Sequence, residues 1–213
     1  GAGGVAAVGP HAPVGAGNAM ITRRRLLQGA GGLILGSTAF AGYAVAVEPG
    51  YMLDVTRYAI QPRTWPSDLT LRVAIIADIH ACEPFMPASR VRRIAEVANA
   101  LNPDITFMLG DFNGGHRFAT GPVEPQEWGE ALSVLRAPLG IHSILGNHDW
   151  WHGALPTMRG DGADSVRRAL RHMDASVLEN QAIRLEKNGK PFWLAGLGDQ
   201  LAHLIGRRKF RGV

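Results

Sequence analysis

The 213 residues leave room for one sizeable domain and extra segments, and 46% hydrophobic against 19% charged residues is an ordinary globular composition. The formal charge of +4 does not signal a nucleic-acid partner: seven of the 22 Lys+Arg lie at Arg23, Arg24, Arg25, Arg207, Arg208, Lys209 and Arg211, and the remaining 15 stand against all 18 Asp+Glu. A single cysteine, Cys82, excludes an intramolecular disulfide framework and reads as a small loop residue.

Residues 1–19 are rich in Gly, Ala, Val and Pro without periodicity, and are expected to be disordered or a non-native extension. Residues 20–46 read as a targeting segment. Thr22-Arg23-Arg24-Arg25-Leu26-Leu27 resembles the twin-arginine export motif, and an uncharged, weakly hydrophobic Gly/Ala-rich stretch follows it. Ala44-Val45-Ala46 or Ala39-Phe40-Ala41 would serve for cleavage. The alternative is an uncleaved anchor, since the stretch has the ~20 residues that span a bilayer. The expectation is export by the twin-arginine machinery to the periplasm, or to the outer face of the inner membrane.

Residues 47–70 form a lead-in, in which 51–58 alternate well enough for an edge strand. The apolar run 71–77 predicts a strand buried on both faces. A helix follows from about Pro87, with Ser89 as N-cap and Val91, Ile94, Ala95, Ala98 and Leu101 at helical spacing. Residues 104–109 predict the next strand. Pro125 opens a helix with Trp128, Ala131, Leu132 and Leu135 on one face, and 140–145 predict a third strand. A helix over 164–173 and three short strands at 177–178, 183–186 and 192–195 complete the domain, with Asn188-Gly189 as a hairpin turn. Strands alternating with helices predict an α/β fold with a parallel sheet and right-handed crossovers.

The three long strands end in Asp78-x-His80, Gly110-Asp111 and Gly146-Asn147-His148-Asp149. In a strand, alternate residues share a face, so Asp78 and His80 can reach one point. In a parallel sheet all three endings lie on one edge, which brings Asp78, His80, Asp111 and Asn147 together. Oxygen and imidazole donors suit Mn, Fe, Zn or Mg. Each glycine lets the chain turn sharply over the strand end.

Asp-x-His, Gly-Asp and Gly-Asn-His-Asp in this order resemble the calcineurin-like metallophosphoesterase superfamily over about 71–198. The export signal, the Gly110-Asp111-Phe112-Asn113 loop and Leu194 to Asp199 resemble its exported bacterial phosphodiesterase branch, which includes relatives that cleave UDP-diacylglucosamine. The resemblance implies an α-β-β-α sandwich and two divalent metal ions. Asp78 and His80 would hold one, Asp111 would bridge both, and Asn147 would hold the second. His148 would contact the phosphate and protonate the leaving oxygen, Asp149 would orient His148, and Asn113 would support the site. Two metals about 4 Å apart can clamp a phosphoryl group and activate a water for in-line attack. The substrate would be a phosphodiester or phosphoanhydride, and Phe85, Met86, Trp150 and Trp151 read either as core packing, the favoured reading, or as an apolar wall for a lipid-bearing or aromatic substrate.

The family also has a lone His and a Gly-His-x-His further on, and neither is found before the atypical basic stretch 200–213. This implies a C-terminally truncated member with the second sheet largely missing and one sheet face uncovered. His116, His142, His152 and His203 are the histidines left to substitute, His142 being the poorest candidate because it lies inside a strand. The competing expectations are a catalytically impaired remnant and a membrane-anchored binding domain.

Overall fold

The computed structural model describes residues 22–43, 52–114, 118–151 and 163–201. It divides into two compact units, 1–49 and 50–213. In the first, helix α1 spans Arg23–Gly42, and the Thr22 side chain accepts a hydrogen bond from the Arg25 N–H as its N-cap. None of its residues is buried. Among the described residues no helix is long and apolar enough to cross a membrane. Within α1, Leu and Ile are interrupted by Gly, Ser and Thr.

The second unit is built on a parallel sheet. Strands β1 (Val73–Ile76), β3 (Ile105–Met108), β5 (Ile141–Ser143) and β6 (Ser176–Val177) lie in the order β1-β3-β5-β6. Helices α2 (Ala88–Ala100), α3 (Pro125–Leu132) and α5 (Asp164–His172) supply the crossovers, and α4 (Asn147–Trp151) is a short turn after β5. A two-residue ladder pairs β2 (Cys82–Glu83) with β4 (Gly121–Pro122). Strands β7 (Gln181–Lys187) and β8 (Lys190–Gly196) form a hairpin turning at Asn188-Gly189, both with positive φ, as the Asn-Gly signal implies. The α/β architecture with a parallel sheet is the expected one.

Side-chain period decides the layers. Ala74, Ile76, Met108 and Ile141 point to the helices and join Val91, Ala95, Trp128, Leu132, Val166 and Leu170 in one core. Each large apolar side chain fully buried there stabilises the fold by about 1.5–3 kcal/mol. Helix α3 begins with Pro125 at N1, and Glu124 and Glu127 satisfy each other's backbone N–H groups in a capping box.

Three local expectations are corrected. Residues 52–58 form no strand, because no described strand runs beside them to supply a ladder, and Tyr58 is exposed. Pro87, not Ser89, is the N-cap of α2: its extended backbone already delivers the chain to the helix at Ala88. Strand β1 is buried on one face only. Val73 is 36% exposed, Ile75 62% and Leu109, just beyond β3, 43%, so the face turned away from the helices is largely open to solvent. An unbroken β-branched run reads the same whether one face is covered or two.

Candidate metal centre

The carboxyl ends of β1, β3 and β5 meet as parallel strands require. The Asp78 N–H donates to the Gly110 carbonyl at 3.2 Å, the His80 N–H to the Asp111 carbonyl at 3.0 Å, and the Ala81 N–H to the Phe112 carbonyl at 2.8 Å. The two loops therefore run side by side past the sheet edge. Asp78, His80 and Asp111 all adopt left-handed backbones, with φ of 52°, 46° and 53°. Non-glycine residues pay roughly 1–2 kcal/mol for that region, and such positions cluster where side chains must be aimed.

The aim is convergent. Among the described residues, His80, Asp111 and His148 place one donor atom each within 4.8 Å of the others. The Asp111 Oδ2 lies 3.8 Å from His80 Nε2, and Asp111 Oδ1 accepts the His148 backbone N–H at 2.9 Å. The rings of His80 and His148 stand edge to face with centroids 4.7 Å apart. Asp78 joins from the exposed side, its Oδ1 3.9 Å from His80 Nε2. Two imidazoles and two carboxylates suit a borderline divalent ion such as Mn, Fe or Zn, so the donors present fit the implied group. Asn147 opens α4 at the same strand end, half-buried. His148, expected as a proton donor, is also within ligand range.

Asp149 is fully buried, and its surroundings are the site's least expected feature. Its Oδ2 accepts the N–H groups of Asp111 at 2.8 Å and Gly146 at 2.9 Å. Its Oδ1 accepts those of Phe112 at 2.8 Å and Asn113 at 3.1 Å. Four backbone donors fill the four acceptor positions of a carboxylate, so these bonds tie Asp149 to the loop backbones. Burial pushes its carboxyl up to about 6, against the N–H groups that favour the anion; the neighbouring Asp111 carboxylate acts in the same direction as burial.

Asn113 is held twice, through that N–H and through its Oδ1, which accepts from Trp128 Nε1 at 3.0 Å. The Trp128 ring stacks on Phe112 with centroids 4.8 Å apart. Trp128 was legible as a core residue from its helical spacing, but its bond to the site loop has no sequence signal.

Glycines are needed here for close approach as well as for turning. A Cβ on Gly146 would sit 2.7 Å from Asp111 Cγ and closer still to its Oδ1. One on Gly110, whose φ is +88°, would sit 2.8 Å from the Leu145 carbonyl carbon. Gly114 was missed by the sequence reading: a Cβ there would lie 2.5 Å from His80 Cβ, so the loop closes on His80 only because 114 has no side chain. The Gly114-Gly115 pair was the available signal.

His142 lies within β5, buried, with Nε2 against the Leu139 carbonyl at 2.9 Å, and it takes no part in the cluster. His116, His152 and His203 lie outside the described residues, as do residues 202–213, and the burial of Trp151 is likewise not described.

Comparison with known proteins agrees with this geometry. The family model for calcineurin-like phosphoesterases matches residues 71–206. A zebrafish (Danio rerio) transmembrane protein with a metallophosphoesterase domain is 28% identical over 177 residues, covering 81% of this chain and 37% of that protein. An uncharacterized metallophosphoesterase of Aquifex aeolicus is 26% identical over 160 residues, covering 75% and 54%. The UDP-2,3-diacylglucosamine pyrophosphatase LpxG of Chlamydia trachomatis is 29% identical over 143 residues, covering 63% and 42%. The chain spans between about a third and about half the length of these three curated relatives. With three strand-end motifs converging on one cluster and a family model spanning the whole sheet, the chain belongs to the calcineurin-like phosphoesterase family.

Proposed function

We propose that this chain is a metal-dependent hydrolase of a phosphodiester or phosphoanhydride, with His80, Asp111 and His148 at its centre. The observation that carries the reading is the approach of their three donor atoms to within 4.8 Å at the ends of parallel strands. In this reading Asp78 and His80 would hold one ion and Asn147 a second, with Asp111 serving both. Divalent ions there would supply Lewis-acid polarisation of the phosphoryl group and a nucleophilic water at neutral pH. His148, although within ligand range, would in this reading serve as the proton donor to the leaving oxygen instead of as a ligand. Asn113 keeps the loop of Asp111 in place through its bond to Trp128.

The substrate class we favour is lipid-linked and resembles a UDP-diacylglucosamine. It is supported by the two LpxG proteins among the relatives, each 29% identical over its matched stretch. Export by the twin-arginine route to the periplasmic side is supported by Arg23-Arg24-Arg25 at the start of a helix with no buried residue. No nucleic-acid partner belongs to this reading.

The test is Mn2+-supplemented hydrolysis of bis-p-nitrophenyl phosphate by the unmutated chain and by Asp111→Ala. The expected result is metal-dependent turnover that the substitution abolishes. Equal background rates in both would sink the catalytic reading. Release of UMP from UDP-diacylglucosamine, tested in parallel, separates the lipid-linked substrate from the wider phosphodiester class.

A further inference from the structure

We propose that Asp149 is a positioning residue that clasps the two strand-end loops together and so sets the spacing of the metal donors. It is completely buried and accepts four backbone N–H groups, three from the 111–113 loop after β3 and one from Gly146 after β5. The clasp is reciprocal. Asp149 holds the main chain of Asp111, while the side chain of Asp111 holds the main chain of His148. Residues 148 and 149 are consecutive, so each loop supplies a carboxylate to the other loop's backbone.

The arrangement also explains how Asp111 keeps its left-handed φ of 53°. Three successive N–H groups of one loop turned toward a single carboxylate form an anion-binding concavity. Here the anion is an internal side chain. Filling that concavity holds the loop in a conformation that its sequence alone disfavours. A carboxylate is required because both oxygens must accept. In Asp149→Asn the amide nitrogen would face N–H donors, either those of Asp111 and Gly146 or those of Phe112 and Asn113, and half of the clasp would become repulsive.

The effect on metal binding rests on the proposed function; the clasp itself does not. Hydrogen exchange is therefore measured on the metal-free 213-residue chain, unmutated and Asp149→Asn, and Mn2+ affinity is measured by titration calorimetry on the same two proteins. We expect the amides of Asp111, Phe112, Asn113 and Gly146 to be protected in the unmutated chain and to lose at least about tenfold in protection in the variant, while those of β1 and α2 keep theirs. We expect Mn2+ to bind the variant about 10–100-fold more weakly, the usual effect of losing a group that supports metal ligands. Unchanged protection at the four amides would overturn the clasp. A uniform loss across the sheet would also overturn it, since Asp149 would then support the whole fold rather than these loops. Loosened loops with undiminished Mn2+ affinity would overturn the positioning role. An unmutated chain that fails to hydrolyse phosphodiesters refutes the proposed function and leaves the exchange result to decide the clasp.

Discussion

Substituting Gly146 by alanine adds one methyl group and tests how tightly the centre is packed. The new carbon would lie 2.7 Å from Asp111 Cγ and 2.8 Å from Asp111 N, and closer still to Oδ1. Ordinary contact between carbons is about 3.5–4.0 Å, so something must move by about 1 Å. The carboxylate is tethered by the His148 N–H at 2.9 Å, and the Asp111 backbone by Asp149 at 2.8 Å. Gly110 closes the other side against Leu145 and Gly146. Overpacking of this kind costs about 1–3 kcal/mol. At roughly 3 °C per kcal/mol for a domain of this size, the melting midpoint should fall by about 3–9 °C. A displacement of ~1 Å at a reacting centre costs on the order of 100-fold in rate. Thermal denaturation by circular dichroism, with and without Mn2+, and hydrolysis of bis-p-nitrophenyl phosphate read these effects separately. A Gly146→Ala protein with the parent midpoint, the parent response to Mn2+ and the parent rate would refute the reasoning.

The bond from Trp128 Nε1 to Asn113 Oδ1 is buried, so Trp128→Phe leaves an acceptor unsatisfied and should cost about 1–3 kcal/mol in urea denaturation. In a double-mutant cycle with Asn113→Ala the two losses should be less than additive; full additivity would show that the bond carries no energy. Burial works against ionisation of Asp104, but the Arg72 N–H at 2.7 Å and the Lys187 ammonium at 2.6 Å outweigh it and hold the carboxyl below its ordinary value of 3.8. Because the folded-state value is the lower one, the stabilisation is complete above about pH 4 and fades as pH falls through it. The stability gap between the unmutated chain and Asp104→Asn should therefore shrink in acid, and a gap unchanged between pH 6 and pH 2.5 would contradict the assignment. On β1, Ile75→Thr should change stability by no more than about 0.5 kcal/mol, whereas Ile76→Thr, one residue along on the helix-facing side, should cost more than about 2 kcal/mol. Equal losses in denaturant titrations would mean that the two faces are not as unequal as described.

Much of the sheet and its edge was legible in the chain. The order of strands and helices follows from apolar runs alternating with helical periodicity, and parallel pairing then brings 78–80, 111 and 147–149 to one side. What escaped had physical reasons. The coverage of β1 depends on what lies across from it, and Val73 and Ile75 look alike buried or bare. The 52–58 segment has the alternation of a strand, but among the described residues no strand pairs with it. A carboxylate directly after a histidine reads as that histidine's partner, and nothing in the sequence signals that Asp149 also gathers the N–H groups of 111–113 from 36–38 residues away. Glycine at 114 signals a loose loop by composition, while its structural reason is the imidazole lying against it.

The left-handed backbones of Asp78 and His80 set thermal tolerance and chemistry against each other at the same two positions. Glycine would relax both, whereas at Asp111 it would also remove the acceptor of the His148 N–H, so a selection that rewards heat resistance alone would favour glycine where the donor side chains of Asp78 and His80 now stand. Variants recovered from such a selection would melt later and have lost their donors. Directed evolution of this chain therefore requires metal retention as a paired criterion from the first round.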